Sequence, residues 1–259
     1  MLSFIESMIL GVVQGLTEWL PISSSGHMAM LQSFFGWDSP VLLYVLLHAG
    51  TLLVIVVFFR GDIALILRAL ARRDFGSEEG RIGIFVIVGS APTAAIGFVC
   101  HDLLVSFFDN LMVVGLGLVA TGILLVVCQR RKGEGDLGYV DALLVGTAQG
   151  AAIVPGVSRS GATISTGLLR GVKREMAFKF SFLLSIPAVL GAMALESSDF
   201  STLMESVDVF GVVSGVAVSV VVGYFSLRAL RNILARRKLH WFAPYCWVVG
   251  ALLLISQVF

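Results

Sequence analysis

The chain has 259 residues, of which 57% are hydrophobic and only 14% charged, and its mean hydropathy is +0.94. Soluble domains carry about 25% charged residues, so this composition excludes an ordinary soluble domain and predicts a protein of the lipid bilayer. The formal net charge is +1, and the basic residues fall in short loops between apolar runs, so we expect no nucleic-acid partner.

The first apolar stretch, residues 4–35, is predicted to be two short helices joined by a break. Its start carries an acidic residue, Glu6, and lacks the basic residues with which a signal peptide begins, so we expect no cleaved signal peptide. Gln14 and Glu18 lie one helical turn apart and share a face. The break covers residues 21–27, with the sequence Pro-Ile-Ser-Ser-Ser-Gly-His.

Six nearly uncharged runs are each long enough to cross a hydrocarbon core of about 30 Å. They are residues 41–59, 82–100 and 111–128, and then 175–195, 209–227 and 241–259. Between the two sets, residues 139–172 repeat the pattern of helix, break and helix, with the break at residues 155–161, Pro-Gly-Val-Ser-Arg-Ser-Gly.

The loop charges predict an orientation. Arginine and lysine concentrate at residues 60–81, 130–132 and 228–238, and the positive-inside rule places these loops in the cytoplasm and both termini outside. Each broken stretch must then begin and end on one side of the membrane. We therefore predict two re-entrant hairpins, the first dipping from outside and the second from inside.

The two hairpins also match in sequence, at offsets of 134 or 135 residues: Gln14-Gly15 with Gln149-Gly150, Pro21 with Pro155, Ser23 with Ser158, and Ser25-Gly26 with Ser160-Gly161. Three spans follow each hairpin, so the second half is predicted to be inverted. The predicted fold is an all-α polytopic membrane protein in one integral domain, residues 1–259, with repeats at about 1–132 and 138–259. Chance similarity between Gly/Ser-rich apolar segments is the alternative.

The first break has the residue types of an anion site beside a hydroxyl that could be activated. Ser23, Ser24 and Ser25 begin the second hairpin helix, whose free N–H groups would bind an anion. His27 follows Ser24 by three residues, and with Glu18 nearby this fits the general arrangement that activates a hydroxyl. Helix capping accounts for one of the serines, and an interior histidine is the alternative for His27.

Placing the charge of Arg159, in the second break, within a membrane costs about 2.5–3.5 kcal/mol on insertion scales, so Arg159 needs a partner. Either Glu18 or a bound phosphate could serve, so a structural ion pair and a phosphate clamp both stay open. Ser158, Ser160 and Thr163 add hydroxyls around it. His48 has no such neighbours in sequence and is assigned to packing or a hydrogen bond. Three unpaired cysteines are assigned to packing: Cys100, Cys128 and Cys246.

Residues 14–27 and 155–163 closely resemble the bacitracin-resistance type of undecaprenyl-diphosphate phosphatase, and length and motif spacing extend the resemblance over the whole chain. The resemblance implies a catalytic or metal-associated Glu18, Ser24 as nucleophile or hydroxyl ligand, His27 as proton-transfer group or rival nucleophile, and Arg159 as diphosphate clamp. It implies substrate contacts at Gln14, Ser23, Ser25, Ser158, Ser160 and Thr163.

The resemblance further implies a divalent cation, Mg²⁺ or Ca²⁺, although Gln14 stands where many members have a carboxylate. The implied reaction is hydrolysis of undecaprenyl diphosphate to undecaprenyl phosphate and phosphate, which recycles the lipid carrier of peptidoglycan synthesis. The implied setting is the bacterial cytoplasmic membrane, among membrane lipids, with a site that opens outward. A homodimer is compatible with the sequence.

Two other classes of membrane protein share part of this pattern. The acid-phosphatase-like lipid phosphatases need an Arg-Pro element and a histidine six residues after the second arginine. This chain has no Arg-Pro, and Ser165 stands six residues after Arg159, which excludes that class. A flippase or transporter of isoprenoid lipid phosphates shares inverted repeats and a central polar site. Transport alone, however, does not require the pair of Ser24 and His27.

Overall fold

The computed structural model describes residues 4–37, 41–108, 110–130, 133–196 and 209–258. Within these ranges the chain is helical, and they contain no β-strand, so the all-α prediction is confirmed. Arg131 and Lys132 of one predicted inner loop, and residues 197–208 between the predicted spans at 175–195 and 209–227, lie outside the described residues.

Twelve α-helices cover the described ranges. In chain order they are α1 (Phe4–Trp19), α2 (Ser24–Phe35), α3 (Val41–Phe58), α4 (Arg60–Ala71), α5 (Glu78–Val99), α6 (His101–Ser106), α7 (Leu111–Val127), α8 (Tyr139–Ala151), α9 (Arg159–Leu169), α10 (Arg174–Glu196), α11 (Val209–Ala235) and α12 (Ala243–Ser256). Short 3₁₀ turns extend α7 at Cys128–Arg130 and precede α12 at Leu239–Phe242.

Among the described residues, five helices are long and apolar enough to cross a membrane, and α3 gives a sixth candidate when taken with α4 as one bent pair. The five segments are Glu78–Val99, Leu111–Arg130, Arg174–Ala194, Val209–Ala235 and Leu239–Ser256. Together with α3, these five segments correspond to the six runs predicted from the sequence. The multi-pass membrane architecture is therefore confirmed.

The helix α4 was not predicted, because its arginines marked residues 60–81 as a loop. It turns away from α3 by 78°. Ile66 and Ala69 are buried one turn apart on the side that faces α5, while Arg60 and Arg68 are exposed. Asp62 of α4 also lies 2.5 Å from Lys179 of α10, a charged residue within the predicted span at residues 175–195. This ion pair gives that lysine a partner in its own protein.

Both broken stretches fold as predicted into helix, break and helix. The longest of the four helices, α1, has 16 residues and so spans about 24 Å, less than the hydrocarbon core of about 30 Å. Each second helix is capped by the first serine of its break: Ser23 Oγ accepts from the Gly26 amide at 3.3 Å, and Ser158 Oγ from the Gly161 amide at 3.1 Å. The re-entrant insertion itself stays a prediction.

The two halves exchange helices. The first hairpin helix of one half packs along a long helix of the other half: α1 along α11, and α8 along α5. In addition α3 contacts α10, and α7 contacts α12, so equivalent helices also meet each other. The two halves are thus interlocked, and neither buries its hairpin alone. The inversion of the second half stays a prediction.

Glycines set how closely these exchanged helices approach. A Cβ atom added to Gly11 of α1 would collide with the carbonyl of Gly215 in α11, and one added to Gly146 of α8 would collide with the carbonyl of Gly89 in α5. Close backbone contact of this kind is how helices associate in membranes, where lipid competes for apolar side chains.

We predict that Gly146→Ala destabilises the fold by about 1–3 kcal/mol, because the new methyl group forces α8 away from α5. The matched control is Gly191→Ala in α10, where an added Cβ meets nothing within 4 Å. There alanine should stabilise by up to about 1 kcal/mol, since it is the better helix former. Thermal unfolding in detergent measures both, and equal effects of the two changes would contradict the close-contact interpretation.

Candidate active site

The centre of the site is the carboxylate of Glu18, at the C-terminal end of α1. It is 6% exposed and makes an ion pair through Oε1 with Arg159 at the start of α9. Its Oε2 accepts hydrogen bonds from Ser24 Oγ at 2.7 Å and from Gln14 Nε2 at 3.1 Å. The shared face predicted for Gln14 and Glu18 is confirmed, and the two hairpins meet at one point.

Arg159 has one arm on Glu18 and one arm without a partner among the described residues. Its Nη2 atom donates to Glu18, and its Cζ atom lies 5.7 Å from the centroid of the Trp19 ring. Its Nη1 atom is buried and has no hydrogen-bond partner among the described residues. A buried donor without a partner costs about 1–3 kcal/mol, so this arm is placed to bind an acceptor. The ion pair and the phosphate clamp can therefore coexist.

The three serines of the first break have different environments. Ser23 is the capping serine, and its hydroxyl lies 3.2 Å from that of Ser25. Ser24 is the serine whose hydroxyl points at Glu18. Ser23 also adopts a left-handed backbone conformation with φ of 69°, which is strained for a residue with a Cβ atom. Capping thus explains Ser23, and a chemical role is left to Ser24.

His27 does not pair with Ser24, contrary to the expected arrangement. Its Nδ1 atom lies 2.7 Å from the carbonyl oxygen of Ser23, and its Nε2 atom lies 2.6 Å from the hydroxyl of Tyr245. Ser24 instead donates to the anionic Glu18, and hydrogen bonds to charged acceptors are the stronger ones. Tyr245 lies on α12, 218 residues from His27 in sequence, so no local pattern could reveal it.

His48 on α3 belongs to the site, although only a packing or hydrogen-bonding role was predicted for it. Its Nδ1 atom hydrogen bonds to the carbonyl oxygen of Tyr44 at 2.8 Å, which confirms the hydrogen bond. Its Nε2 atom lies 3.6 Å from Glu18 Oε2. The available signal was an ionisable side chain inside a predicted span, which by itself indicates a functional position.

The hydroxyls of the second break bond within the protein. Ser158 Oγ lies 3.2 Å from Ser160 Oγ, and Thr163 Oγ1 lies 2.5 Å from Ser181 Oγ. Ser158, Ser160 and Thr163 are each at most 2% exposed. In these positions they support the backbone that presents Arg159, and their predicted contact with substrate stays a prediction.

Thr121 of α7 holds the same break and was not predicted. Its hydroxyl accepts from the Ser158 amide at 3.0 Å and lies 3.3 Å from the carbonyl oxygen of Gly156. Gly156 itself has φ of 89°, and a Cβ there would strike the carbonyl of Val114. Together these contacts fix the residue that immediately precedes Arg159.

The described residues of the second half do not form a second copy of the site. Gln149, which matches Gln14 in sequence, donates to the carbonyl oxygen of Leu184 at 3.2 Å and lies 3.3 Å from Thr93 Oγ1. It therefore bridges α8, α10 and α5 in the interior. The two matching glutamines thus have different surroundings: Gln14 lies in the polar centre, and Gln149 makes a structural contact.

The described residues could bind a divalent cation only together with oxygen atoms of a bound substrate. They contain no cluster of three or more His, Cys, Asp and Glu side chains that could hold a metal. Glu18 is the carboxylate of the site, and Gln14 Oε1 is a buried oxygen with no hydrogen-bond partner there. Mg²⁺ commonly binds proteins through one or two carboxylates plus substrate phosphates, which this donor set allows.

A family model for bacitracin resistance protein BacA matches residues 7–252. The chain belongs to the BacA family. Among curated members, the undecaprenyl-diphosphatase of Carboxydothermus hydrogenoformans is 40% identical over 260 residues, 97% of each chain. That of Korarchaeum cryptofilum is 41% identical over 257 residues, which is 96% of this chain and 97% of the relative. The family resemblance seen in the two motifs is confirmed.

For this BacA-family site we predict that Glu18→Gln and Arg159→Gln each destabilise the fold by about 3–5 kcal/mol, because each leaves one buried charge unpaired. The double variant should recover much of that loss, with a coupling energy above about 1 kcal/mol. Thermal unfolding in detergent completes the cycle.

The control is Lys173→Gln, which breaks the exposed ion pair with Asp136 and should change the melting temperature little. Additive losses in the Glu18 and Arg159 variants would show that the two charges do not stabilise each other.

Proposed function

We propose that this chain hydrolyses undecaprenyl diphosphate to undecaprenyl phosphate and inorganic phosphate. Curated relatives that align over nearly the whole chain are named undecaprenyl-diphosphatase. The observation that carries the proposal is the buried meeting point of Glu18, Ser24 and Arg159. It combines a hydroxyl already bonded to a carboxylate with a guanidinium that has one free arm, as phosphoryl transfer requires.

Ser24 is the nucleophile in this proposal. Its hydroxyl donates to Glu18 Oε2 at 2.7 Å, so Glu18 takes that proton as Ser24 Oγ attacks the terminal phosphorus. The bond from phosphorus to the bridging oxygen breaks, and undecaprenyl phosphate leaves. Water then attacks the phosphorus of the phosphoserine, and the bond from phosphorus to Ser24 Oγ breaks. Glu18 returns its proton to Ser24 Oγ, and the two protons of the water leave with inorganic phosphate. His27 is the weaker candidate, because both of its ring nitrogens have other partners.

Arg159 binds the phosphate through Nη1. As Glu18 gains the proton of Ser24 it becomes neutral and holds Nη2 less strongly, so both arms become available to the phosphate oxygens. The planar guanidinium then makes the bidentate contacts that suit this group. Clamping and charge neutralisation supply most of the catalysis in such reactions.

Gln14 Oε1 and, before it accepts the Ser24 proton, the carboxylate of Glu18 would hold a divalent cation, together with oxygens of the diphosphate. When bound, the cation supplies neutralisation of the phosphate charge. The residues around it keep their roles: Ser24 attacks, Glu18 accepts the proton and Arg159 clamps. All of them come from one chain, so the chemistry does not require a homodimer.

The site opens toward the outer face of the bacterial cytoplasmic membrane, with the lipid tail of the substrate among membrane lipids. The support is the loop charge, which places the 60–81 segment inside and the 101–110 segment outside. In a cysteine-free background, an impermeant thiol reagent added to cells should label Ser106→Cys and spare Gly76→Cys. Labelling of the second position alone would reverse the orientation.

A flippase is the alternative function, but transport gives no reason for a serine hydroxyl bonded to a buried carboxylate. The direct experiment is phosphate release from undecaprenyl diphosphate by the purified protein in detergent. We expect turnover in the wild type and a loss of at least about a hundredfold in kcat for Ser24→Ala, with normal folding. Ser90→Ala, whose hydroxyl bonds to its own helix at Val86, is the matched control and should retain activity. A flippase would release no phosphate.

Arg159→Lys separates a clamp from a structural ion pair. Lysine keeps the positive charge for Glu18 but loses the planar fork, so a clamp predicts a folded variant with kcat lowered by about a hundredfold. The readouts are melting temperature and phosphate release in the same preparation. Wild-type turnover in a folded Arg159→Lys protein would leave Arg159 with the structural role alone.

A further inference from the structure

The hydroxyl of Tyr245 joins α12 to the first break through the ring of His27. The two atoms, Tyr245 Oη and His27 Nε2, lie 2.6 Å apart, and the two rings are nearly parallel, with centroids at 5.7 Å. Neither the family motifs nor the mechanism above uses Tyr245. Its position nevertheless places a residue of the second half in direct contact with the segment that carries Ser24.

The direction of these hydrogen bonds follows from the partners. A backbone carbonyl can only accept, so the contact between His27 Nδ1 and the Ser23 oxygen requires a proton on Nδ1. A neutral His27 then has a lone pair on Nε2, and the Tyr245 hydroxyl donates to it. The chain of donors runs from Tyr245 through His27 to the carbonyl of Ser23, and it fixes one tautomer of the imidazole.

That carbonyl belongs to the strained residue of the break. Ser23 has φ of 69°, and its oxygen also lies 3.3 Å from the amide nitrogen of His27. A strained backbone of this kind persists only where surrounding contacts hold it. The next residue is Ser24, whose hydroxyl must meet Glu18, so the conformation of Ser23 decides where Ser24 Oγ points.

A second contact from α12 reaches the same segment. Cys246, adjacent to Tyr245, lies with its Sγ atom 3.6 Å from the carbonyl oxygen of Pro21. Two consecutive residues of α12 therefore bond to both sides of the strained turn. This arrangement is independent of the ion pair between Glu18 and Arg159.

We infer that Tyr245 is a positioning residue, which acts through His27 to hold the strained turn at Ser23 and so keeps Ser24 Oγ on Glu18. The inference deepens the proposed phosphatase function and rests on it. Tyr245 does not touch the substrate in this account, and His27 serves the turn rather than taking the proton of Ser24.

The test uses Tyr245→Phe, which keeps the ring stacking and removes only the hydroxyl. Loss of one hydrogen bond should lower kcat by about three- to tenfold with KM within about twofold. His27→Asn keeps a donor for the Ser23 carbonyl but does not reach Tyr245, so it should show a similar loss. Adding Tyr245→Phe to His27→Asn should then cost nothing further. Tyr224→Phe on α11 is the control and should keep wild-type kcat.

A wild-type kcat in Tyr245→Phe, or losses that multiply in the double variant, would overturn the inference. If Tyr245→Phe does not fold, wild-type kcat in His27→Asn overturns it equally. Nitrogen NMR of histidine-labelled protein gives a readout without turnover: His27 Nε2 should be the unprotonated nitrogen and should shift in Tyr245→Phe. A neutral His27 with its proton on Nε2 would contradict the inference, whether or not the protein hydrolyses diphosphate. Failure of the proposed function gives a different result, a wild-type protein that releases no phosphate.

Discussion

The ion pair between Glu18 and Arg159 is the interaction on which the rest of the structure depends. Each charge comes from a different broken stretch, and neither could be buried alone without a penalty of several kcal/mol. The pair is satisfied only if the end of α1 and the start of α9 meet. That requirement explains why both stretches are broken. A continuous helix in place of either stretch would not bring its charged side chain to the charged side chain of the other stretch.

Bringing two breaks together leaves backbone groups that need partners, since lipid supplies none. The structure satisfies them with small polar groups from neighbouring helices. Ser23 and Ser158 cap the helices that leave the breaks, and the hydroxyl of Thr121 bonds to the amide that precedes Arg159. Close glycine contacts of α1 with α11, and of α8 with α5, then hold each hairpin in the opposite half. The polar centre is thus maintained by contacts that the two halves exchange.

How much of this was visible in the sequence depends on how local each contact is. The helical spans follow from hydrophobic length, and the grouping of Gln14 and Glu18 follows from helical spacing. The pairing with Arg159 was predictable because a membrane arginine must find an acid or a phosphate. The features that were not predicted depend on tertiary contacts. The helix α4 has few buried residues, and its arginines indicated a loop. The side chains of His48, Thr121 and Tyr245 reach the site from helices that are distant in sequence.

One expectation was wrong for an instructive reason. A serine three residues before a histidine suggested a hydroxyl paired with an imidazole, but in the structure Ser24 bonds to Glu18 and His27 bonds to the Ser23 carbonyl. Spacing along a helix brings two side chains near each other, yet it does not determine which acceptor receives the hydrogen bond of the hydroxyl. A buried carboxylate is the stronger acceptor, so it takes the hydroxyl, and the imidazole is left for the strained backbone.

The same ion pair constrains the chemistry, because its charges nearly cancel before substrate arrives. A diphosphate adds more than one negative charge, and one guanidinium shared with Glu18 cannot neutralise it. In the proposed mechanism, transfer of the Ser24 proton to Glu18 moves one negative charge from the carboxylate to the serine oxygen, and it frees Arg159 at the moment when charge builds on phosphorus. The remaining negative charge is the reason to expect a divalent cation, for which Gln14 Oε1 offers a neutral ligand in place of a second carboxylate. An amide there also donates to Glu18 through Nε2, so it stabilises the resting carboxylate in a way that a second acid could not.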